Sequence, residues 1–212
     1  MRTFPLEFLT LDEAKGLQFK IVDTITRHFT GTEFLSMGDL GVVPGLGRPR
    51  GTAKVEMVIA EFFGAEAAAL VRGAGTGAIR FALQAVLRSG DRILIHDAPI
   101  YSTTVTTMEF MGIDIVKADM NNKDEVLKAI NSDIKLIYIQ HSRQKSSDSY
   151  DMYELIKTIR EVTDIPIITD ENYTVFKTKY IGTQVGTTAS CFSCFKLLGP
   201  EGVGCVVGEQ SI

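Results

Sequence analysis

Apolar and polar residues alternate along this chain in short blocks, and the period of each block names its element. Leu17, Ile21, Ile25 and Phe29 recur at helical spacing, so a helix running to about Phe29 with one apolar stripe is expected. It opens on Thr10-Leu-Asp-Glu13, a capping box in which Thr10 accepts from the Glu13 amide and the glutamate reaches back. Glycine and proline crowd Gly38 to Gly51, which reads as a loop. A second helix is expected over about Thr52 to Phe63, with Gly64 closing it.

From Ala67 onward strands and helices take turns. The expected strands are Ala68–Arg72, Arg92–His96, Asp114–Lys117, Ile134–Gln140, Ile165–Thr169, Thr188–Phe195 and Val203–Val207. The helices between them are Thr76–Ser89 closed by Gly90, Thr103–Met111, Lys123–Asn131 capped by Asn122, and Tyr150–Val162. This order predicts a three-layer α/β fold (α-β-α) around a mostly parallel sheet of about seven strands. The last two strands are joined only by Leu197 to Gly202, too short for a parallel crossover, so one strand should be antiparallel. Two parts follow: N-terminal helices and loop over 1–63, and the sheet domain over 64–212.

Composition narrows the classes. Hydrophobic residues make up 45% and charged residues 23% of 212, as in ordinary globular chains. A net charge of -4 without a basic run argues against a nucleic-acid surface. No apolar stretch is long enough to span a bilayer, so no membrane partner is expected. Met1 to Glu7 lacks the apolar core of a signal peptide. Three cysteines, an odd count, predict reduced thiols and a cytoplasmic setting. Cys191 and Cys194 form a CxxC pair, but in a strand they would face opposite ways, so buried thiols are expected rather than a metal site.

Ligands in an open parallel sheet bind beyond the carboxyl ends of the strands. The segments at those ends are Gly73-Ala-Gly75-Thr76-Gly77, His96-Asp97-Ala-Pro-Ile-Tyr101, Gln140-His141-Ser142-Arg143, Asp170-Glu-Asn172 and Lys196. Glycines opening a helix suit an anion, although the same turn also serves simply to join strand to helix. The dinucleotide pattern GxGxxG fails at Arg80, and no GxxxxGK[ST] loop occurs. Tyr101 either lies on a planar ligand or packs beside Pro99. His141 is a candidate base or ligand, resting on a single strand-end histidine. Asp170 either caps its turn or meets a ligand. A lysine following an aspartate, each at a strand tip, suits pyridoxal phosphate: the amine takes the aldehyde and the carboxylate pairs with the pyridinium nitrogen. The plain alternative for Lys196 is a side chain reaching solvent.

Taken in order, Gly75-Thr-Gly-Ala, Asp97 to Tyr101, Asp170-Glu-Asn172 and Ser193-Cys-Phe-Lys196 resemble the large domain of fold-type I pyridoxal-phosphate enzymes. The likeness leans toward the cystathionine-lyase and methionine-gamma-lyase side and runs from about Gly45 to Gly208. The resemblance implies pyridoxal 5'-phosphate as cofactor, an amino acid as substrate, aminotransferase or carbon–sulfur-lyase-like chemistry, and a homodimer. It makes Lys196 the catalytic, Schiff-base residue and Asp170 the partner of the pyridine nitrogen. Gly75, Thr76 and Ser193 would hold the phosphate, Tyr101 would stack on the ring, and Asn172 would support the site. His141, Arg143, Arg48 and Arg50 are candidates for substrate anions. The chain departs from the pattern in three places. Asp97 and Tyr101 stand one residue further apart, Phe195 replaces a hydroxyl residue before the lysine, and His141-Ser142-Arg143 stands where aminotransferases carry asparagine-proline. One of those three, or Gln140, would take that role. Members of the family continue into a smaller C-terminal domain, absent here, so a fragment that binds the cofactor without turnover is the alternative. A nucleotide-binding module is the remaining one.

Overall fold

The computed structural model describes residues 6–36 and 41–212. Residues 1–5, on which most of the leader reading rests, and 37–40, part of the Gly38–Gly51 loop, lie outside the described residues. The helices are α1 (Leu11–His28), α2 (Arg50–Phe63), α3 (Ala74–Val86), α4 (Ser102–Met111), α5 (Lys123–Ala129) and α6 (Met152–Arg160). The strands are β1 (Ala67–Arg72), β2 (Arg92–His96), β3 (Asp114–Ala118), β4 (Ile134–Gln140), β5 (Ile167–Asp170), β6 (Ala189–Ser193) and β7 (Val203–Gly208).

The strands form one seven-stranded sheet in the order β1-β7-β6-β5-β4-β2-β3. Neighbours from β6 through β3 are parallel, and β7 runs antiparallel to both β6 and β1. The single reversed strand is the one whose connection was too short for a crossover. Ala78, Ile79, Ala82 and Leu83 of α3 and Met108 of α4 bury one face of the sheet against Ile93, Leu136, Tyr138 and Cys191. Leu155, Ile156 and Ile159 of α6 cover the other face over Ile137, Ile139 and Ile167. Phe62 and Phe63 of α2 extend that second layer onto Phe192, Cys205 and Val207, with Leu17 and Ile21 of α1 behind them. Burying each such aliphatic or aromatic side chain stabilises the fold by roughly 1.5–3 kcal/mol before entropy is counted.

Local signals behave as their chemistry requires. The Thr10 capping box forms: the Thr10 amide donates to Glu13 Oε2 at 2.8 Å and the Glu13 amide to Thr10 Oγ1 at 3.3 Å. Gly64 adopts φ 69, the left-handed C-cap that ends α2. Asn122 accepts from the Glu125 amide and opens α5. Several boundaries shift by one to three residues, and two of the shifts bear on the site. Helix α3 begins at Ala74 rather than Thr76, because Gly73 turns the chain at φ 98. Strand β6 ends at Ser193 rather than Phe195, because Cys194–Leu197 winds into a 3-10 turn closed by Leu198 at φ 60. Lys196 and Cys194 therefore sit on a turn. The three cysteines are free, Cys191 and Cys205 buried and Cys194 half-buried. No helix among the described residues is long and apolar enough to cross a membrane.

Candidate active site

The parallel strands deliver their carboxyl ends to one rim, and a cleft of about 240 Å³ lies there. Gly75, Thr76, Tyr101, Asp170, Asn172, Ser193 and Lys196 all line it, together with Gln140, Thr104, Tyr173 and Phe195. Seven residues spread from 75 to 196 in sequence are thus brought together.

The floor is Asp170, at the end of β5 and 7% exposed. Its Oδ1 accepts from the Asn172 amide at 2.9 Å and from Asn172 Nδ2 at 2.7 Å, and its Oδ2 accepts from the Tyr138 hydroxyl at 3.0 Å. Burial raises the Asp170 pKa above the ordinary carboxylate value, and these three donors offset only part of that rise. A depressed pKa, expected for a carboxylate beside a pyridinium, is therefore not a property of the chain's own contacts. A buried carboxylate of raised proton affinity is nonetheless well suited to a cationic N–H donor, which would relieve its desolvation.

Asn172 links the floor to two walls. Its Oδ1 accepts from the Ser193 amide at 2.9 Å. A Cβ on Gly75 would stand 2.0 Å from the same oxygen, so only glycine lets α3 approach this closely. The α3 terminus is also tied to the β6–β7 connection, since the Gly73 and Ala74 amides donate to Gly202 O at 2.8 and 3.0 Å. The first intrahelical bond runs from the Gly77 amide to Gly73 O, so the Gly75 and Thr76 amides precede it, where a helix presents unsatisfied donors to an anion. The Thr76 hydroxyl pairs with that of Thr103 at 2.9 Å.

Two hydroxyls in the cleft are buried without a hydrogen-bond partner: Ser193 Oγ and Thr104 Oγ1. Such groups cost free energy unless a ligand satisfies them. Lys196 rises from its turn with Nζ 4.9 Å from the centre of the Tyr173 ring, a cation–π distance. Tyr101 stands at the start of α4, 56% exposed toward the cleft mouth. Gln140 Nε2 donates to Ser142 Oγ at 3.0 Å.

The other candidates lie elsewhere. His141 is buried, with Nδ1 2.6 Å from Glu171 Oε2 and its ring edge-on to Tyr153. Glu171 also accepts from the Thr174 hydroxyl at 2.5 Å and the Gly182 amide at 2.8 Å. Burial alone would raise Glu171; His141 and these donors outweigh it and hold the carboxyl below its ordinary value. Arg143 is exposed and donates to Ser146 O at 3.4 Å. Its segment is turned outward by Asp148, which accepts from the Gln144 and Lys145 amides at 2.8 Å each and from His96 at 2.9 Å. Arg48 pairs with the buried Glu56, whose other oxygen accepts from the Leu70 amide at 2.9 Å. Neither Arg48 nor Arg50 lines the cleft.

Sequence reasoning passed over Tyr138, Thr104 and Tyr173. Tyr138 shares a strand face with Gln140 by the two-residue period, and Thr104 lies one helical turn beyond Tyr101. Those spacings were the available signals.

The Cys/Met metabolism PLP-dependent enzyme family matches residues 47–191, a span ending just before Ser193 and Lys196. Protein YhfS of Escherichia coli (strain K12) is 49% identical over all of this chain and 59% of its own length. The crystal structure of YhfS, described as pyridoxal-5'-phosphate dependent, superposes with a TM-score of 0.95 at 48% identity, covering 100% of this chain and 58% of that one. An L-methionine gamma-lyase of Fusobacterium nucleatum subsp. polymorphum is 28% identical over 60% of this chain and 33% of its own length. The carbon-sulfur lyase involved in aluminum resistance from Clostridium novyi NT shares the fold, with a TM-score of 0.79 at 20% identity over 94% of this chain and 53% of that one. The chain therefore spans somewhat over half the length of YhfS. Family match, fold and likeness to YhfS agree: this chain belongs to the Cys/Met metabolism family of fold-type I pyridoxal-phosphate-dependent enzymes, and its cofactor is pyridoxal 5'-phosphate.

Proposed function

We propose that the cleft is the cofactor site of a lyase that cleaves a carbon–sulfur bond in a sulfur-containing amino acid. The observation that carries this is the convergence of an amine, a buried carboxylate and two unpartnered hydroxyls in one cleft. The names of the methionine gamma-lyase and carbon-sulfur lyase relatives support lyase chemistry over amino-group transfer.

Bound pyridoxal phosphate supplies an electron sink for the pair left when a bond to the substrate α carbon breaks. Lys196 Nζ would be the amine that holds the cofactor's aldehyde carbon. Freed by substrate, the same amine would be placed to move the α proton as general base and general acid. Tyr173 gives the ammonium form a face to rest on while it waits. Asp170, held by Asn172, would accept from the ring N–H and keep that nitrogen protonated. The Gly75 and Thr76 amides and the Ser193 hydroxyl would hold the phosphate, and Tyr101 and Gln140 would line the space beside the ring. His141 and Glu171 brace the Asp170 turn and touch no substrate.

A homodimer is part of the same proposal. Phe81 on α3 and Phe110 on α4 are 52% and 89% exposed, apolar surface that favours association. Sedimentation at micromolar concentration tests it, and a strict monomer contradicts it. The function is tested by incubating the cofactor-loaded protein with a panel of amino acids. Release of thiol, ammonia and keto acid from one of them, lost in Lys196→Ala, supports the lyase. Amino transfer to a keto acid without thiol release contradicts it.

A further inference from the structure

We propose that Tyr138 is a positioning residue: its hydroxyl fixes the orientation and proton affinity of Asp170, the carboxylate that meets the ring nitrogen in the function proposed above, on which this role rests. Tyr138 is 3% exposed and packs in the core beneath α3. A phenylalanine would fill that space without bringing a polar group into it. The hydroxyl donates to Asp170 Oδ2 at 3.0 Å, and the Thr104 hydroxyl lies beside it.

The geometry makes the bond consequential. Asn172 holds Oδ1 with two donors, from its backbone and its side chain. Tyr138 holds Oδ2 from a different strand, since β4 and β5 are neighbours in register with Gln140 opposite Asp170. The carboxylate is therefore gripped at both oxygens, and it cannot turn about its χ2 axis without losing a donor. Both lone pairs of Oδ1 are taken, and one lone pair of Oδ2 remains for the cleft. Tyr138 stays protonated and hence a donor, because burial and the neighbouring Asp170 charge push its pKa well above the ordinary phenol value.

The other groups around Asp170 work against its charge or lie across the cleft. Glu171 follows it in the chain and raises its proton affinity. Cys191 stands opposite it on β6, Thr104 presents a hydroxyl from α4, and Lys196 and Glu201 lie in the cleft wall. Tyr138 is thus the donor from outside Asp170's own turn, and donation to a carboxylate favours its ionised form.

The test is Tyr138→Phe, which keeps the ring and removes the donor. The Asp170 carboxyl is followed by carbon NMR across pH in the full chain without added cofactor, its signal assigned by its loss in Asp170→Asn. Its midpoint is expected to rise by about one to two units, the worth of a hydrogen bond to a charged group. Incorporating 3-fluorotyrosine at position 138 makes a stronger donor, and the midpoint should then fall. Because that variant keeps the hydroxyl, it reads the effect even if Tyr138→Phe fails to fold. A midpoint unmoved in both proteins overturns the proposal. If the midpoint moves but the protein never binds pyridoxal phosphate, the positioning role stands and the cofactor reading of the cleft falls. If it binds the cofactor with an unmoved midpoint, the reverse holds.

Discussion

Replacing Gly75 by alanine puts a methyl group where Asn172 now sits. The new Cβ would lie 2.0 Å from Asn172 Oδ1 and 2.6 Å from Asn172 Nδ2. A flexible side-chain end normally moves aside at little cost, but this amide is held on both sides. Moving it breaks the 2.7 Å bond to the Asp170 carboxylate and the 2.9 Å bond from the Ser193 amide. The first is worth about 1.5–3 kcal/mol as a bond to a charged group and the second about 0.5–1.5 kcal/mol. Alanine returns up to about 1 kcal/mol through its better helix propensity. The net expectation is a destabilisation of about 1–3 kcal/mol, read as a lower urea midpoint at unchanged slope. Pyridoxal-phosphate affinity should fall with it, since Asp170 loses a donor. In an Asn172→Ala background the amide is already gone, so Gly75→Ala should cost nothing there, or should stabilise. A cost that persists unchanged in the double variant would refute the reasoning, as would a single variant with unaltered midpoint and affinity.

Four further outcomes follow from the same structure. Gly77→Ala should be worse than Gly75→Ala, because its Cβ would stand 2.0 Å from the backbone carbonyl of Arg72, which cannot move aside; soluble yield and urea midpoint measure it. Arg48→Met should cost about 1–3 kcal/mol by leaving the buried Glu56 carboxylate short of a partner, and should leave cofactor affinity in a spectral titration unchanged. Glu171 is held below its ordinary value of 4.5, so its stabilising contribution is complete above that pH and is lost as pH falls through the lower folded value. Glu171→Gln should flatten that acid limb in denaturation curves taken across pH. His141→Ala should instead cost roughly 3–5 kcal/mol near neutral pH by stranding a buried charge.

The fold was legible where a short apolar run met a polar boundary. β2 and β4 have the ends expected of Arg92–His96 and Ile134–Gln140, because glycine, aspartate and glutamine stop each run. β6 was overrun because Cys-Phe-Ser-Cys-Phe keeps its apolar character past Ser193. What ends the strand is a turn closed by the Gly199 amide on Cys194 O at 2.9 Å. The stretch between Asn172 and Thr188 gave no periodic signal. Its shape hangs on bonds remote in sequence, such as the Gly182 amide to Glu171 and the Thr183 hydroxyl to Val207 O.

The cleft residues were legible because each follows a strand, and strand ends converge by topology. His141 and Arg143 also follow a strand, and the cleft excludes both. One is claimed by Glu171, and the other is turned away by the Asp148 hub. Neither pairing has a local sequence signature. Tyr138 was hidden for the complementary reason: on a buried strand a tyrosine looks like core until the partner of its hydroxyl is known.

The central claim is that Lys196 holds the cofactor, and one measurement addresses it directly. The protein is incubated with pyridoxal phosphate, reduced with borohydride, digested and analysed by peptide mass. The account predicts visible absorbance before reduction and a pyridoxyl adduct on the peptide that contains Lys196, absent in Lys196→Ala. A protein that stays colourless, or an adduct spread over other lysines with Lys196 unmodified, would contradict it.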